Sequence, residues 1–156
     1  MIVFELLSEK NVNEVWELEK ICFEAPWTLK MFTSELTNNI SIYYVGRDTD
    51  TNTVVSYLGM WLIGDICEIT NVAVLPEYRR GGIADKMLDI VFDICDEKNV
   101  SVINLEVNAT NVPALELYKK RGFKECGLRK KYYQNKYDAI LMSKMLGGSS
   151  DENSCD

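Results

Sequence analysis

The sequence predicts a single-domain α/β protein with a mixed central sheet flanked by helices. Its 156 residues suit one domain with a real core. Apolar residues recur at a 3.6-residue period from residue 82 to 98, which predicts an amphipathic helix. A short apolar run at 101–108 follows that helix and should return parallel to the strand before it, which makes a βαβ crossover.

The N-terminal half predicts a strand, two helices and a hairpin. Residues 2–7 are the strand, and Asn11 with Glu14 resembles a capping box that opens a helix ending near residue 23. The apolar face of this helix would consist of Val15, Leu18, Ile21 and Cys22. Residues 29–37 predict a second helix. The β-rich runs 40–47 and 53–64, joined by a polar turn, predict an antiparallel hairpin, and residues 66–75 continue the sheet.

The C-terminal half predicts one more helix and a final pair of strands. Residues 111–121 have Pro113 in the first turn of the helix and Gly122 as its C′ residue. Residues 123–133 and 137–146 should pair as antiparallel strands. The remaining residues, 147–156, are small, polar and acidic, and we expect this tail to be disordered.

Composition excludes several classes of function. The net charge of −7 argues against nucleic acid as a direct partner and favours a basic one. No apolar run approaches the length of a bilayer crossing, so we expect a soluble, cytoplasmic protein without a membrane partner. The chain has no histidine, and its five cysteines form no C-x-x-C pair, so no metal site is predicted. Acid–base chemistry must then fall to carboxylates, tyrosine, lysine or cysteine.

A glycine-rich turn, RRGGIA at residues 79–84, links a predicted strand to the long helix. It is neither a Walker loop nor a dinucleotide fingerprint, because the required spacings are missing. Its two adjacent glycines allow close backbone approach, and the amides at the start of the helix can bind phosphate. A plain β–α turn with two solvated arginines explains the turn equally well at this point.

Further segments bear a resemblance to a known family. The pattern Arg-x-x-Gly-x-Ala after VAVLP, followed by LEVNATNVPALELYKKRGF, resembles the GNAT acetyltransferase superfamily. The segments EAPWT, LRKKYY and DAILM narrow the resemblance to the RimI-type ribosomal-protein alanine N-acetyltransferases. The similarity covers about residues 4–146. It implies a partly splayed sheet and an N-acetyltransferase domain at residues 1–146.

This resemblance implies a set of residues that bind acetyl-CoA as cosubstrate. The strand segment of Val72, Ala73 and Val74 would bond the pantetheine arm. The residues around the pyrophosphate would be Arg79, Arg80, Gly81, Gly82, Ile83, Ala84 and Asp85. Asp85 is an unexpected acidic residue there, and we expect it to face solvent. Asn111 would hydrogen-bond the cofactor, and a helix N-cap role for the same side chain is compatible with that.

The resemblance also implies two catalytic residues for direct transfer to an amine. Glu106 would be the general base, and it should project from its strand opposite Leu105 and Val107. A solvent-facing strand carboxylate is the alternative. Tyr118 would protonate the departing thiolate, and a core tyrosine packed beside Leu115 is its alternative.

The acceptor implied by the resemblance is a protein N-terminus, most simply the N-terminal alanine of a basic small-subunit ribosomal protein. Acetylation of lysine side chains or small amines, and a non-catalytic acetyl-CoA-binding module, remain alternatives. An acyl-enzyme route through Cys67 or Cys126 is a further, weaker one. The aromatic and proline residues that we place along the peptide groove are Pro26, Trp27, Tyr132 and Tyr133, although ordinary packing explains them equally well.

Overall fold

The computed structural model describes residues 1–133 and 136–147, apart from the side chain of Tyr133. The predicted disordered tail lies outside the described residues from position 148 on. The strands of the described part are β1 (Ile2–Leu6), β2 (Ser41–Asp48), β3 (Thr53–Ile63), β4 (Ile66–Val74), β5 (Val102–Asn108), β6 (Lys124–Tyr133) and β7 (Tyr137–Met145). Its helices are α1 (Val12–Cys22), α2 (Leu29–Glu35), α3 (Ile83–Glu97) and α4 (Val112–Lys120), and a single 3-10 turn spans Pro76–Tyr78.

Hydrogen bonding joins the strands into one mixed sheet in the order β1-β2-β3-β4-β5-β7-β6. Strand β4 pairs with β5 in parallel, as predicted from the long helix between them. The β2–β3 hairpin and the β6–β7 pair are antiparallel, again as predicted. Strand β7 enters between β5 and β6, which the sequence did not indicate. The predicted α/β fold class is therefore confirmed.

Two compact units make up the described chain. The first contains residues 1–62 and 70–92, and the second contains residues 63–69 and the described residues from 93 on. Strand β4 and helix α3 are therefore both divided, and each of the two units contains one part of each element. None of the helices in the described ranges is long and apolar enough to span a bilayer.

The core of the first unit contains aromatic and β-branched side chains of α1, α2 and the first strands. Phe32 and Tyr57 are fully buried, and their rings meet edge to face with centroids 5.5 Å apart. The buried residues of α1 are Val12, Val15, Leu18 and Glu19. At 100° per residue these four positions form one stripe of the helix, and Ile21 lies outside it. Ile21 is accordingly 63% exposed, so its predicted place in the core is wrong.

The start of α1 also differs from the prediction. Asn11 precedes the helix, but its side chain makes no capping bond to it. Its Oδ1 instead accepts the Ser8 N–H at 2.8 Å, and its Nδ2 donates to the Leu6 carbonyl at 2.9 Å. Glu14 binds the guanidinium of Arg47. The predicted capping box is therefore wrong, because both side chains bind residues outside the helix.

In the second unit, β5 alternates between buried and half-buried residues, and α4 follows it. Asn111 caps α4 by accepting the Ala114 N–H at 3.3 Å. Gly122 follows the helix with φ +94°, the left-handed conformation expected of a C′ glycine. Both predicted ends of this helix are confirmed.

Candidate active site

The glycine-rich turn of the first unit has the backbone of an anion site. Arg80 and Gly82 both adopt left-handed conformations, with φ of 68° and 80°, immediately before α3 begins at Ile83. The Lys86 N–H donates to the Gly82 carbonyl, one residue before the helix, at 3.1 Å. The first N–H groups of an α-helix have no acceptor within it, so a helix start preceded by such a turn can bind phosphate.

The two arginines of this turn differ in what they contact. The Nε of Arg79 donates to the Val74 carbonyl at 2.9 Å, so this side chain attaches the turn to β4. The Cys22 thiol lies 3.6 Å from the same carbonyl. Arg80 is exposed and is one of the two left-handed residues of the turn. The Val74 carbonyl is thus engaged by donors of its own unit, and the pantetheine contacts of Val72, Ala73 and Val74 remain a prediction.

The first turn of α3 contains the remaining predicted phosphate neighbours. Ile83 is buried and packs the helix onto the unit, while Gly81, Gly82 and Ala84 keep the turn free of large side chains. Asp85 is half-buried rather than exposed. A carboxylate in the first helical turn is stabilised by the helix dipole, which accounts for an acidic residue here.

Glu106 lies on β5 with the orientation that the alternation predicted. Leu105 and Val107 are buried at 4% and 5% exposure, and Glu106 between them projects to the other face with 29% of its side chain exposed. Its Oε1 lies 3.2 Å from Nη2 of Arg129. The carboxylate is therefore reachable from solvent, as a general base must be, and has a cation beside it.

Sequence reasoning missed Arg129 because it could not place β7 between β5 and β6. Glu106 is opposite Leu141 of β7, and Arg129 is opposite Ala139 two residues earlier on the same strand. The ion pair thus bridges an intervening strand, which a long guanidinium side chain can do. The sequence showed Arg129 only as the arginine of the segment LRKKYY, with nothing to indicate its contact with Glu106.

The end of β6 holds an exposed aromatic residue beside this arginine. The guanidinium carbon of Arg129 lies 5.3 Å from the ring centroid of Tyr132, which is 51% exposed. Lys131 takes a left-handed φ of 53°, and its N–H donates to Asp138 Oδ1 at 2.8 Å, which stabilises an irregular stretch of the strand. The Tyr133 side chain, the other predicted groove residue here, lies outside the described residues.

Tyr118 occupies the buried face of α4. It is 7% exposed and meets Phe123 edge to face at a centroid distance of 5.7 Å. Packing therefore holds the ring in one orientation. A proton-donating role for its hydroxyl remains a prediction, and so does a cofactor contact of Asn111 beside its observed capping bond.

Pro26 and Trp27 lie in the connection between α1 and α2. Pro26 is exposed, whereas Trp27 is half-buried with its ring centroid 5.3 Å from that of Phe32. The main-chain N–H of Trp27 donates to Glu19 Oε2 at 2.9 Å. The structure thus brings Trp27 to the core of the first unit, and its predicted contact with a peptide remains a prediction.

The cysteines offer little to an acyl-enzyme route. Cys67 and Cys95 are buried, and both the hydrogen bond between their thiols and burial raise the pKa of Cys67. Cys126 is exposed and lies 3.4 Å from the Ser143 hydroxyl. Among the described residues, no group of histidine, cysteine, aspartate or glutamate side chains is arranged to hold a metal ion.

Comparison with known proteins gives concordant results. The chain matches the Acetyltransferase (GNAT) family over residues 12–123. It is 36% identical over 134 residues to a Bacillus subtilis (strain 168) protein provisionally named as a ribosomal protein bS18-alanine N-acetyltransferase, covering 85% of this chain and 88% of that one. A ribosomal protein bS18-alanine N-acetyltransferase of Salmonella typhimurium is 28% identical over 146 residues, with 92% and 97% covered.

Solved structures share the fold. The crystal structure of the ribosomal-protein-S18-alanine N-acetyltransferase from Escherichia coli superimposes with a TM-score of 0.86 at 24% identity and covers all of both chains. Arabidopsis thaliana NAA60, solved with a bisubstrate analogue, gives a TM-score of 0.85 at 16% identity over 94% of this chain and all of that one. The family match over most of the chain, together with a relative of 36% identity, establishes that this protein belongs to the GNAT family of acetyltransferases.

Proposed function

We propose that this chain transfers the acetyl group of acetyl-CoA to the N-terminal α-amine of a protein, specifically the N-terminal alanine of a small-subunit ribosomal protein. The observation that carries the proposal is the nearly end-to-end similarity to relatives named bS18-alanine N-acetyltransferases, which are covered over 88% and 97% of their length. The use of acetyl-CoA follows from membership of the family.

The main chain of the first unit suits this donor. Coenzyme A contains a pyrophosphate, and the turn at residues 80–85 presents amides next to two left-handed residues at a helix start. Pantetheine contains amides, and the main chain of the segment Val72, Ala73 and Val74 has donors and acceptors of the same kind. These residues would bind and orient the donor, which supplies the acetyl group as a thioester.

The proposed chemistry is direct attack of a neutral amine on this thioester. A peptide α-amine has a pKa of about 8, so roughly a tenth is neutral at pH 7, whereas only about four in ten thousand lysine side chains are. A carboxylate of ordinary basicity therefore suffices for an N-terminal substrate. In the proposal Glu106 takes the proton of the amine at its carboxylate, and the Tyr118 hydroxyl gives a proton to the leaving sulfur.

The charge of the protein agrees with a basic acceptor. A net charge of −7 attracts positively charged partners over long range. Ribosomal proteins are of this kind, because they bind RNA phosphates through Lys and Arg. A ribosomal acceptor also implies a cytoplasmic location, which remains a prediction.

A panel of synthetic peptides tests the substrate class. We expect acetylation of peptides with a free N-terminal alanine and none of the same peptides with a formylated N-terminus and free lysines, as measured by mass spectrometry. Equal modification of the blocked peptides would contradict the proposal and favour a lysine acetyltransferase.

Mass spectrometry of ribosomal proteins identifies the acceptor itself. In cells that lack this chain, one small-subunit protein should have a newly unblocked N-terminal alanine, and the wild-type gene should restore the acetyl group. A Glu106→Gln variant should fail to restore it. Unchanged N-termini throughout the ribosome would contradict the proposed acceptor.

A further inference from the structure

One buried carboxylate of the first unit has no part in the proposed chemistry. Glu19 of α1 is 3% exposed, so it can neither reach an acceptor amine nor exchange protons freely with solvent. Its Oε2 accepts the Trp27 N–H at 2.9 Å, and its Oε1 accepts the Tyr57 hydroxyl at 2.5 Å. Burying a carboxylate is costly unless hydrogen bonds replace its water, so both donors are needed.

The partners of Glu19 are themselves rigid. Tyr57 is fully buried between the ring of Phe32, which it meets edge to face, and that of Tyr43, stacked 6.2 Å away. Burial and the nearby Glu19 carboxylate raise the pKa of Tyr57 well above its ordinary value, so it remains a neutral donor. Trp27 is therefore held at two points, by Glu19 at its main chain and by Phe32 at its ring.

The same polar cluster extends to the residues of β4 that directly precede the predicted pantetheine segment. The Tyr43 hydroxyl donates to Asn71 Oδ1 at 2.7 Å and lies 3.0 Å from the Thr70 hydroxyl. Asn71 Nδ2 is buried and has no hydrogen-bond partner in the part of the chain that the structure describes. Asn71 directly precedes Val72. One connected set of buried side chains thus lies between the α1–α2 connection and β4.

From this geometry we infer that Glu19 is a positioning residue for the acceptor peptide. Its carboxylate fixes the main chain of Trp27, and thereby the α1–α2 connection of residues 23–28 against which the peptide binds. The inference rests on the proposed function, because it takes Trp27 as an acceptor contact. Glu19 touches neither acceptor nor acetyl donor, so its loss should weaken peptide binding without changing the use of acetyl-CoA.

Steady-state kinetics of three variants test this inference. Glu19→Met keeps the volume and removes both acceptors, so the peptide KM should rise roughly tenfold, the effect of losing a charged hydrogen bond. The KM for acetyl-CoA should stay at the wild-type value. Glu19→Gln should have a peptide KM much closer to the wild-type value than Glu19→Met. Its side-chain oxygen can accept the main-chain N–H of Trp27 while its amide donates to the Tyr57 oxygen. Should Glu19→Met not fold, Glu19→Asp, which keeps the charge but shortens its reach, should raise the peptide KM in the same way.

Glu35 provides a matched control. It is a second buried glutamate of this unit, 9% exposed, and accepts from Trp61 Nε1 and Asn38 Nδ2 at 3.2 and 3.0 Å. Glu35→Met should lower the thermal midpoint about as much as Glu19→Met and leave the peptide KM unchanged. Equal changes of the peptide KM in both variants would show that Glu19 contributes only to the stability of the fold, which would overturn the inference.

Two further measurements separate this inference from the proposed function. Amide hydrogen exchange of residues 23–28 should speed up in Glu19→Met whether or not the protein acetylates any peptide, and unchanged exchange would overturn the inference. In a Trp27→Ala background, Glu19→Met should add no further rise in the peptide KM, and a fully additive rise would also overturn it. Failure of the wild-type protein to acetylate free N-termini contradicts the proposed function alone.

Discussion

The two compact units of this protein contain different kinds of candidate functional groups. In the first, the candidate phosphate site is formed by main-chain amides of the turn at residues 79–85, whose shape depends on left-handed residues. In the second, the candidate chemistry depends on side-chain atoms, the carboxylate of Glu106 and the hydroxyl of Tyr118. Binding in the first unit should therefore respond to backbone conformation, whereas chemistry in the second should respond to the change of one atom.

The largest expected effect comes from Glu106→Gln. Because the amide cannot accept the proton of the amine, kcat/KM should fall about a hundredfold or more, the usual contribution of a general base. The affinity for coenzyme A, measured by calorimetry, should not change.

Glu116→Gln is the control for this substitution, since Glu116 is an exposed glutamate of α4 in the same unit. It should retain full activity. If the Glu106→Gln enzyme is as fast as the wild type, Glu106 is not the general base.

Tyr118→Phe should have a smaller effect, on the order of tenfold in kcat, because a thiolate is a good leaving group even without protonation. The phenylalanine ring keeps the contact with Phe123, so the thermal midpoint and the affinity for coenzyme A should remain near the wild-type values. Single-turnover measurements of acetyl transfer check this expectation. A variant with normal transfer would show that Tyr118 only packs the core.

Gly82→Ala tests whether binding of coenzyme A depends on the main-chain conformation of the turn at residues 79–85. A side chain at φ +80° costs about 1–2 kcal/mol, although nothing lies near the added Cβ, so the turn should distort. We expect the affinity for coenzyme A to fall several-fold while kcat at saturating donor is retained.

Gly64→Ala serves as its control, because Gly64 has φ +60° and equally open surroundings in the β3–β4 turn. This variant should lose similar stability and keep its affinity for coenzyme A. Equal losses of affinity in both variants would show that the turn at residues 79–85 has no special role.

The smallest effect is expected for Arg80→Ala. An exposed cation contributes about 1 kcal/mol or less to an ionic contact, so the affinity for coenzyme A should fall only a few-fold. This difference should disappear at high salt. A loss larger than that of Gly82→Ala would mean that side-chain charge, rather than main-chain amides, dominates phosphate binding.

Much of this organisation could be predicted from the sequence, and the errors have definite causes. The ends of α4 followed from Asn111, Pro113 and Gly122, because capping depends on residues close in sequence. The capping box predicted from Asn11 and Glu14 was wrong because each side chain binds a residue of another element. The partner of Asn11 lies in β1, and that of Glu14 lies in β2. Burial of Glu19 was missed because a carboxylate on a helix is normally exposed.

The sequence by itself determined the fold class, most element positions, the alternation that orients Glu106 and the family to which the chain belongs. These features depend on local periodicity, on turn residues and on motifs that are contiguous in the chain. Only the tertiary structure decided that β7 lies between β5 and β6, that Arg129 reaches Glu106 across it, and that Glu19 binds Trp27 and Tyr57. Such pairings join residues distant in sequence, and they depend on which strand edges and buried donors remain available once the core has packed.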